Sequence, residues 1–166
     1  NKTEVSVFDI EVAQIAKSKI QQSRAFVSTS ASIVNASGSN INGAFTAGTF
    51  SINGVNITLD SGNSLVEVAS RINAVQNDTN VRATIIQPST GQYRLKLESL
   101  STGTSNAYSI ADASNVLNDL FTYDSVDHPD LNVQTAVDAQ VKYNNITVTR
   151  PSNIISDFID GITIKA

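Results

Sequence analysis

Thr49-Phe-Ser-Ile-Asn-Gly-Val-Asn-Ile-Thr-Leu59, followed closely by Ser64-Leu-Val-Glu67, sets the architecture of this chain. Asn53-Gly54 stands between two runs that alternate apolar and polar residues. A two-residue type I′ turn needs positive φ at both central positions, which Asn and Gly tolerate best. The pattern predicts a hairpin with Phe50 and Ile52 on one face of its first strand, and Val55, Ile57 and Leu59 on one face of its second. Ser64 and Glu67 have the spacing of a capping box, in which the hydroxyl accepts from a backbone N–H and the carboxylate reaches back. Leu65, Val68, Ile72 and Val75 then recur at helical spacing and give one apolar stripe through about Gln76. A strand over 81–87, a Pro88-Ser-Thr-Gly91 turn and a strand over 92–98 complete a hairpin–helix–hairpin unit. The helix is expected to lay its stripe on one face of the sheet.

Outward from this unit the signals weaken. Residues 4–14 alternate, with Phe8, Ile10 and Val12 on one face, as in a half-buried strand. Residues 15–26 fit strand or helix equally, and Ser28 to Gly43 reads as an irregular Ser/Asn/Gly connection. Residues 107–110 suggest a short strand, and 114–121 a short helix with Val116, Leu117 and Leu120 inward. Thr122 to Asn132 is acidic, contains proline, lacks a period and reads as a linker. Gln140–Tyr143 and Ile146–Thr149 form a hairpin around Asn144-Asn145. Asn153 is placed to cap a short helix carrying Ile155, Phe158 and Ile159 and ended by Gly161, with Ile162 and Ile164 on a last strand. The expected fold class is α+β, mostly β: two small domains of antiparallel strands with few short helices, one inserted in the other. Residues 1–43 and 129–166 would make the discontinuous β-rich domain and 44–128 the inserted α+β domain.

Composition narrows the function. Of 166 residues 40% are hydrophobic, enough for a core, so global disorder is not expected. Only 16% are charged, against roughly 25% in an average soluble domain. Ser, Thr, Asn and Gln cover the surface instead, which suits an extracellular protein packed against copies of itself. The net charge is -4 and the 11 basic residues are scattered, so nucleic acid is not an expected partner. No stretch approaches the roughly 18 apolar residues of a membrane span. The chain starts at Asn1 with no signal peptide and is expected to be a piece of a longer protein.

The inventory of reactive groups is short. Cysteine is absent, which excludes disulfides, thiol catalysis and Cys-ligated metals. The single histidine, His128, lies with Asp124, Asp127 and Asp130 in a spacing that fits no oxygen-ligand loop, so the segment reads as a solvated connection and not a metal site. A serine nucleophile would need that histidine as base, and no Gly-x-Ser-x-Gly elbow surrounds any serine. Asp157 and Asp160 are near in sequence, as paired carboxylates would be, but on one short helix they would solvate its outer face. Asn-x-Ser/Thr at Asn56, Asn77 and Asn145 is expected by chance in so polar a chain. The reading is therefore no enzyme, no catalytic residue, no cofactor and no metal.

Three segments resemble the bacterial flagellar filament cap family, the hook-associated protein 2 family. Phe8-Asp-Ile-Glu-Val-Ala-Gln-Ile-Ala16 is similar to that family's early strand. Gly48-Thr-Phe-Ser-Ile-Asn-Gly-Val with Asn63-Ser-Leu-Val-Glu-Val-Ala-Ser-Arg-Ile-Asn73 resembles a hairpin-then-helix element that hook-associated flagellar proteins share. Asp138-Ala-Gln-Val with Asn153-Ile-Ile-Ser-Asp-Phe-Ile-Asp-Gly-Ile-Thr163 is similar to the family's carboxyl-terminal signature and is the most specific of the three. The resemblance covers the central β-rich domains and leaves out the family's long helical, coiled-coil-forming termini. It implies a structural plate at the distal tip of the external filament, partnered by further copies of itself and by flagellin, with mucin or host glycans as partners in some species. Phe8, Ile10, Val12, Phe158 and Ile162 would hold one domain, and Phe50, Leu65, Ile72, Ile85 and Leu95 the other. A hook–filament junction protein and an extracellular glycan-binding β module are the alternatives.

Overall fold

A computed structural model describes residues 9–36, 44–118, 120–121 and 132–166. Its first strands are Ile10–Gln14 (β1), Ile20–Gln22 (β2), Val34–Asn35 (β3), Phe45–Thr46 (β4), Gly48–Ile52 (β5) and Val55–Leu59 (β6). Helices Leu65–Ala74 (α1) and Gln76–Thr79 (α2) lead to Val81–Ser89 (β7) and Gln92–Ser99 (β8). A 3-10 turn, Thr104–Asn106, precedes Ile110–Ala111 (β9) and then Asn132–Gln134 (β10). Ala139–Tyr143 (β11), Ile146–Arg150 (β12), Ile154–Ile159 (β13) and Ile162–Lys165 (β14) close the chain. The class is α+β and mostly β, as the sequence predicts.

The opening hairpin forms in the expected register. Ile52 faces Val55 across a turn with φ 51° at Asn53 and 82° at Gly54, and Phe50, Ile52, Ile57 and Leu59 are all buried. The capping box is complete: Ser64 Oγ accepts from Glu67 N at 3.4 Å and Glu67 Oε2 accepts from Ser64 N at 2.7 Å. The bond from Ser64 N, with a second from the Ser64 hydroxyl at 2.8 Å, holds the Glu67 carboxyl below its ordinary pKa of 4.5. Leu65, Val68, Ala69 and Ile72 form the buried stripe of α1 against β7 and β6.

Two apolar clusters result. The larger joins β5–β6, β7–β8 and α1 around Leu65, Ile72, Leu95 and Leu97, with the Phe26 and Phe45 rings stacked 5.6 Å apart. Its partly buried fringe includes Ile85. The smaller lies between the β1–β11–β12 sheet and the β13–β14 hairpin, where Val141, Ile155 and Ile164 are buried and Ile10, Phe158 and Ile162 pack at the margin. The Tyr143 and Phe158 rings meet edge to face at 5.5 Å in this cluster. One irregular antiparallel ribbon links the clusters: Val12 pairs with Val141, Lys17 bridges Val137, Ile20 pairs with Gln134, and β2 pairs antiparallel with β8 on its other side.

Several local expectations change. Residues 153–161 do not form a capped helix; they are the strand β13 and the turn into β14, with Ile155 opposite Ile164 and Gly161 at φ 73°. Ile154 and Ile155 are β-branched and Asp160-Gly161 is a hairpin turn sequence, so the strand preference prevails. Between Ile155 and Ile159 the strand carries two more residues than its partner, and this bulge sets Phe158 beside Tyr143 and Asp157 beside Arg150. Residues 114–118 turn through Asn115 and Asn118 at φ 52° and 46° instead of forming a helix, although Val116, Leu117 and Leu120 are buried as expected. Residues 15–26 are neither a full strand nor a helix, but β2 with single bridges at Lys17 and Phe26. Val12 is 45% exposed: β1 is an edge strand, and the covering hairpin seats on Val141 in the middle of that sheet. Phe8 and residues 122–131 lie outside the described residues.

Candidate functional site

A cleft with both polar and apolar walls has a volume of about 360 Å³ and is lined by Lys19, Gln21, Ile110, Asp112, Asn115, Leu117 and Phe121. β2 supplies Gln21, β9 supplies Ile110, and the turn region after β9 supplies the rest of the far wall. Lys19 Nζ donates to the Tyr108 carbonyl at 2.9 Å and stands 4.4 Å from the centre of the Tyr108 ring. Burial lowers its pKa below the ordinary 10.5. Burial likewise pushes the Tyr108 phenol well above its usual range, against a smaller opposing effect from a backbone bond at Gln21. On the other wall the two carboxylate oxygens of Asp112 accept from Val116 N and Leu117 N, both at 2.7 Å. The cation and the anion of the cleft are thus each bound to their own wall, and neither is set up to move a proton for a substrate. Sequence patterns do not point to this cleft. Its one legible signal is Asp112, a residue that commonly starts a turn by accepting from the backbone ahead of it.

The carboxylates considered as a pair do not converge. Asp157 lies on β13 and is bound by Arg150 Nε at 2.9 Å, whereas Asp160 lies in the turn to β14. Asp124, Asp127, His128 and Asp130 lie outside the described residues. Among the described residues no three His, Cys, Asp or Glu side chains gather as metal ligands would. No helix there is long and apolar enough to cross a membrane.

What the molecule presents instead is sheet surface. The outer face of β5–β6 carries Thr49 and Thr58, whose hydroxyls lie 2.8 Å apart, with Ser51 facing Asn56. The outer face of β1–β11–β12 carries Glu11, which accepts from Lys142 Nζ at 3.1 Å, and the exposed Thr147 and Thr149. Val27 is 89% exposed on the larger unit, and Ile146 and Ile154 are each 61% exposed on the smaller one, so apolar side chains stand open on both. These features describe a β-rich protein whose sheets present polar outer faces with a few open apolar side chains.

The sequence profile of the Flagellin hook IN motif matches residues 33–101, the hairpin–helix–hairpin unit together with the segment before it. No curated protein sequence matches the chain. Among solved structures, the D1-D2-D3 domains of the flagellar cap protein FliD from Escherichia coli align with TM-score 0.67 and 25% identity, over 95% of this chain and 44% of that one. FliD from Pseudomonas aeruginosa aligns with TM-score 0.68 and 25% identity, over 99% of this chain and 77% of that one. The D2-D3 domains of FliD from Serratia marcescens align with TM-score 0.69 and 24% identity, over 95% and 84%. This chain therefore spans less than half of the first of these structures. It resembles the central β-rich domains of the bacterial flagellar filament cap family, as its own motifs indicate, and the solved structures it resembles are flagellar cap proteins.

Proposed function

We propose that this chain is the central part of a structural protein in the cap at the distal end of the bacterial flagellar filament. There it promotes insertion of flagellin subunits and filament elongation and prevents loss of exported flagellin. Its place is extracellular, at the filament tip, and its partners are further copies of the whole protein and flagellin. The observation that carries this reading is the alignment to flagellar cap proteins over 95% and 99% of the chain at 25% identity. The low charge and the internally bound Lys19 and Asp112 agree with a part that works through packing and not through reaction.

The same proposal includes a division into two domains, one inserted in the other, drawn from sequence at 43/44 and 128/129. The two apolar clusters support a division of this kind. Phe26 and Val34 pack in the larger cluster, a reason to place the first border nearer the linking ribbon.

The test is deletion of the full-length gene in the bacterium that carries it, followed by complementation. The expected result is short filaments with monomeric flagellin accumulating in the medium, reversed by the intact gene, and immunogold label at the filament tip. Filaments of normal length after deletion refute the proposal. Label at the filament base favours a hook–filament junction protein, a reading that the hook IN motif fits equally when taken alone.

A further inference from the structure

The loop after β8 leaves the larger cluster and ends against the smaller unit. Its root is fixed near the larger one, where Leu100 N donates to Asn80 O at 2.9 Å and the Ser101 hydroxyl lies 3.4 Å from Asn80 Oδ1. Its tip reaches three separate segments. Gly103 N donates to Lys17 O at 3.0 Å and the Thr102 hydroxyl donates to the Pro151 carbonyl at 2.7 Å. Thr104 gives its backbone N–H and its hydroxyl to the two carboxylate oxygens of Asp138, at 2.7 and 3.0 Å. Lys17 and Asp138 belong to the ribbon between the clusters, and Pro151 directly follows β12 of the smaller sheet.

Gly103 makes the closest of these approaches. Its φ of 94° with ψ of 155° is a conformation that residues with a Cβ adopt only under strain. A Cβ built there would stand 2.5 Å from Pro151 Cα and 2.7 Å from the Pro151 oxygen, and nearer still to Pro151 Cβ. Backbone and a proline ring cannot swing aside as a long side chain would. Among the described residues, the units would without this loop be joined by a narrow two-stranded ribbon, a structure that twists and bends easily on its own.

We propose that the Leu100–Asn106 loop is a strut that fixes the angle between the two units, with the Gly103–Pro151 contact as its bearing and Asp138 as its clamp. The strut is independent of either core, because none of its tip residues belongs to the buried cluster on either side. It is also independent of the function proposed above, since its evidence is internal geometry.

The absence of cysteine allows a clean distance measurement. Spin labels are placed at Asn56→Cys and Thr163→Cys, exposed positions on β6 and β14. Pulsed electron resonance on the whole chain then reads the distance between the units. The parent is expected to give one narrow distribution. Gly103→Ala is expected to shift its centre and broaden it about twofold, as freed hinge motion does, while far-UV circular dichroism keeps the parent strand signal. If Gly103→Ala yields no folded protein, the double variant Thr102→Val with Asp138→Ala removes the clamp without adding bulk and is read the same way. Broadening in the variant that folds supports the strut. A parent-like distribution in that variant overturns it.

Discussion

Substitution of Asn153 tests whether the carboxyl-terminal third is held as described. A helix cap at this position would accept from a backbone N–H with its side-chain oxygen, and aspartate would serve as well as asparagine. The structure gives Asn153 a different role, in which its Oδ1 accepts from Ala16 N at 2.6 Å and its Nδ2 donates to Ala16 O at 3.0 Å. Ala16 is 3% exposed, so its peptide groups are largely shielded from water. Asn153→Ala removes two hydrogen bonds and leaves a donor and an acceptor buried without partners, a loss of about 2–4 kcal/mol in all. Asn153→Asp keeps the acceptor, removes the donor and sets a carboxylate against the Ala16 carbonyl, so it is expected to cost at least as much near neutral pH. The introduced carboxyl would have a folded-state pKa above its unfolded value, because only its protonated form can donate to Ala16 O. Its deficit should therefore shrink as pH falls through that raised pKa. Urea unfolding followed by far-UV circular dichroism suits a chain without tryptophan. An Asn153→Asp variant within about 0.5 kcal/mol of the parent at neutral pH would refute the bridging role, because that is the tolerance a simple cap predicts.

Two further outcomes are expected from the larger unit. Ser64→Ala removes the α1 cap and should cost about 1 kcal/mol in urea unfolding. It should also flatten the acid limb of stability: Glu67 has a lowered folded pKa, so its contribution is complete above the unfolded value of 4.5 and is lost as pH falls through the folded one. An unfolding midpoint that declines with acid identically in Ser64→Ala and parent would contradict this. Leu95 is fully buried between sheet and helix, and Leu95→Ala should destabilise by about 2–5 kcal/mol. A change below about 1 kcal/mol would show that the larger cluster is not packed as described.

Legibility in the sequence follows the strength of local chemistry. Asn53-Gly54 and Ser64/Glu67 are readable because the turn conformation and the capping box are each set by residues adjacent in the chain, and both form as expected. The inward face of α1 is readable for the same reason, since helical spacing needs no distant partner. The Asn153–Gly161 segment misleads because one residue pattern supports two local endings. Gly161 suits both a helix end and a hairpin turn, and the choice is made by burial of Ile155 against Val141 and Ile164. Val12 misleads because alternation reports which face a side chain takes and not whether anything covers that face. The cleft is invisible to pattern reading, since its walls are separated by about ninety residues of chain and its ions bind backbone groups.

A chain with few charges must still close strand edges and loop junctions, and here the primary amide of asparagine does so in several places. Asn73 on α1 accepts from Ala83 N at 2.8 Å and donates to Ala83 O at 2.9 Å, covering part of the outer edge of β7. Asn153 treats Ala16 in the same way. Asn53 accepts from Ser109 N at 2.9 Å and donates to Thr79 O at 2.8 Å, so the turn of the first hairpin also ties down α2 and the approach to β9. One side chain supplies the donor and acceptor of a peptide group without a further strand. A carboxylate or an ammonium could supply only half of that pair and would carry the desolvation cost of a charge. The polar composition is therefore also a structural device, ending sheets where an open edge would recruit unwanted strands. It leaves outer faces rich in threonine, serine and asparagine available for contact with other molecules.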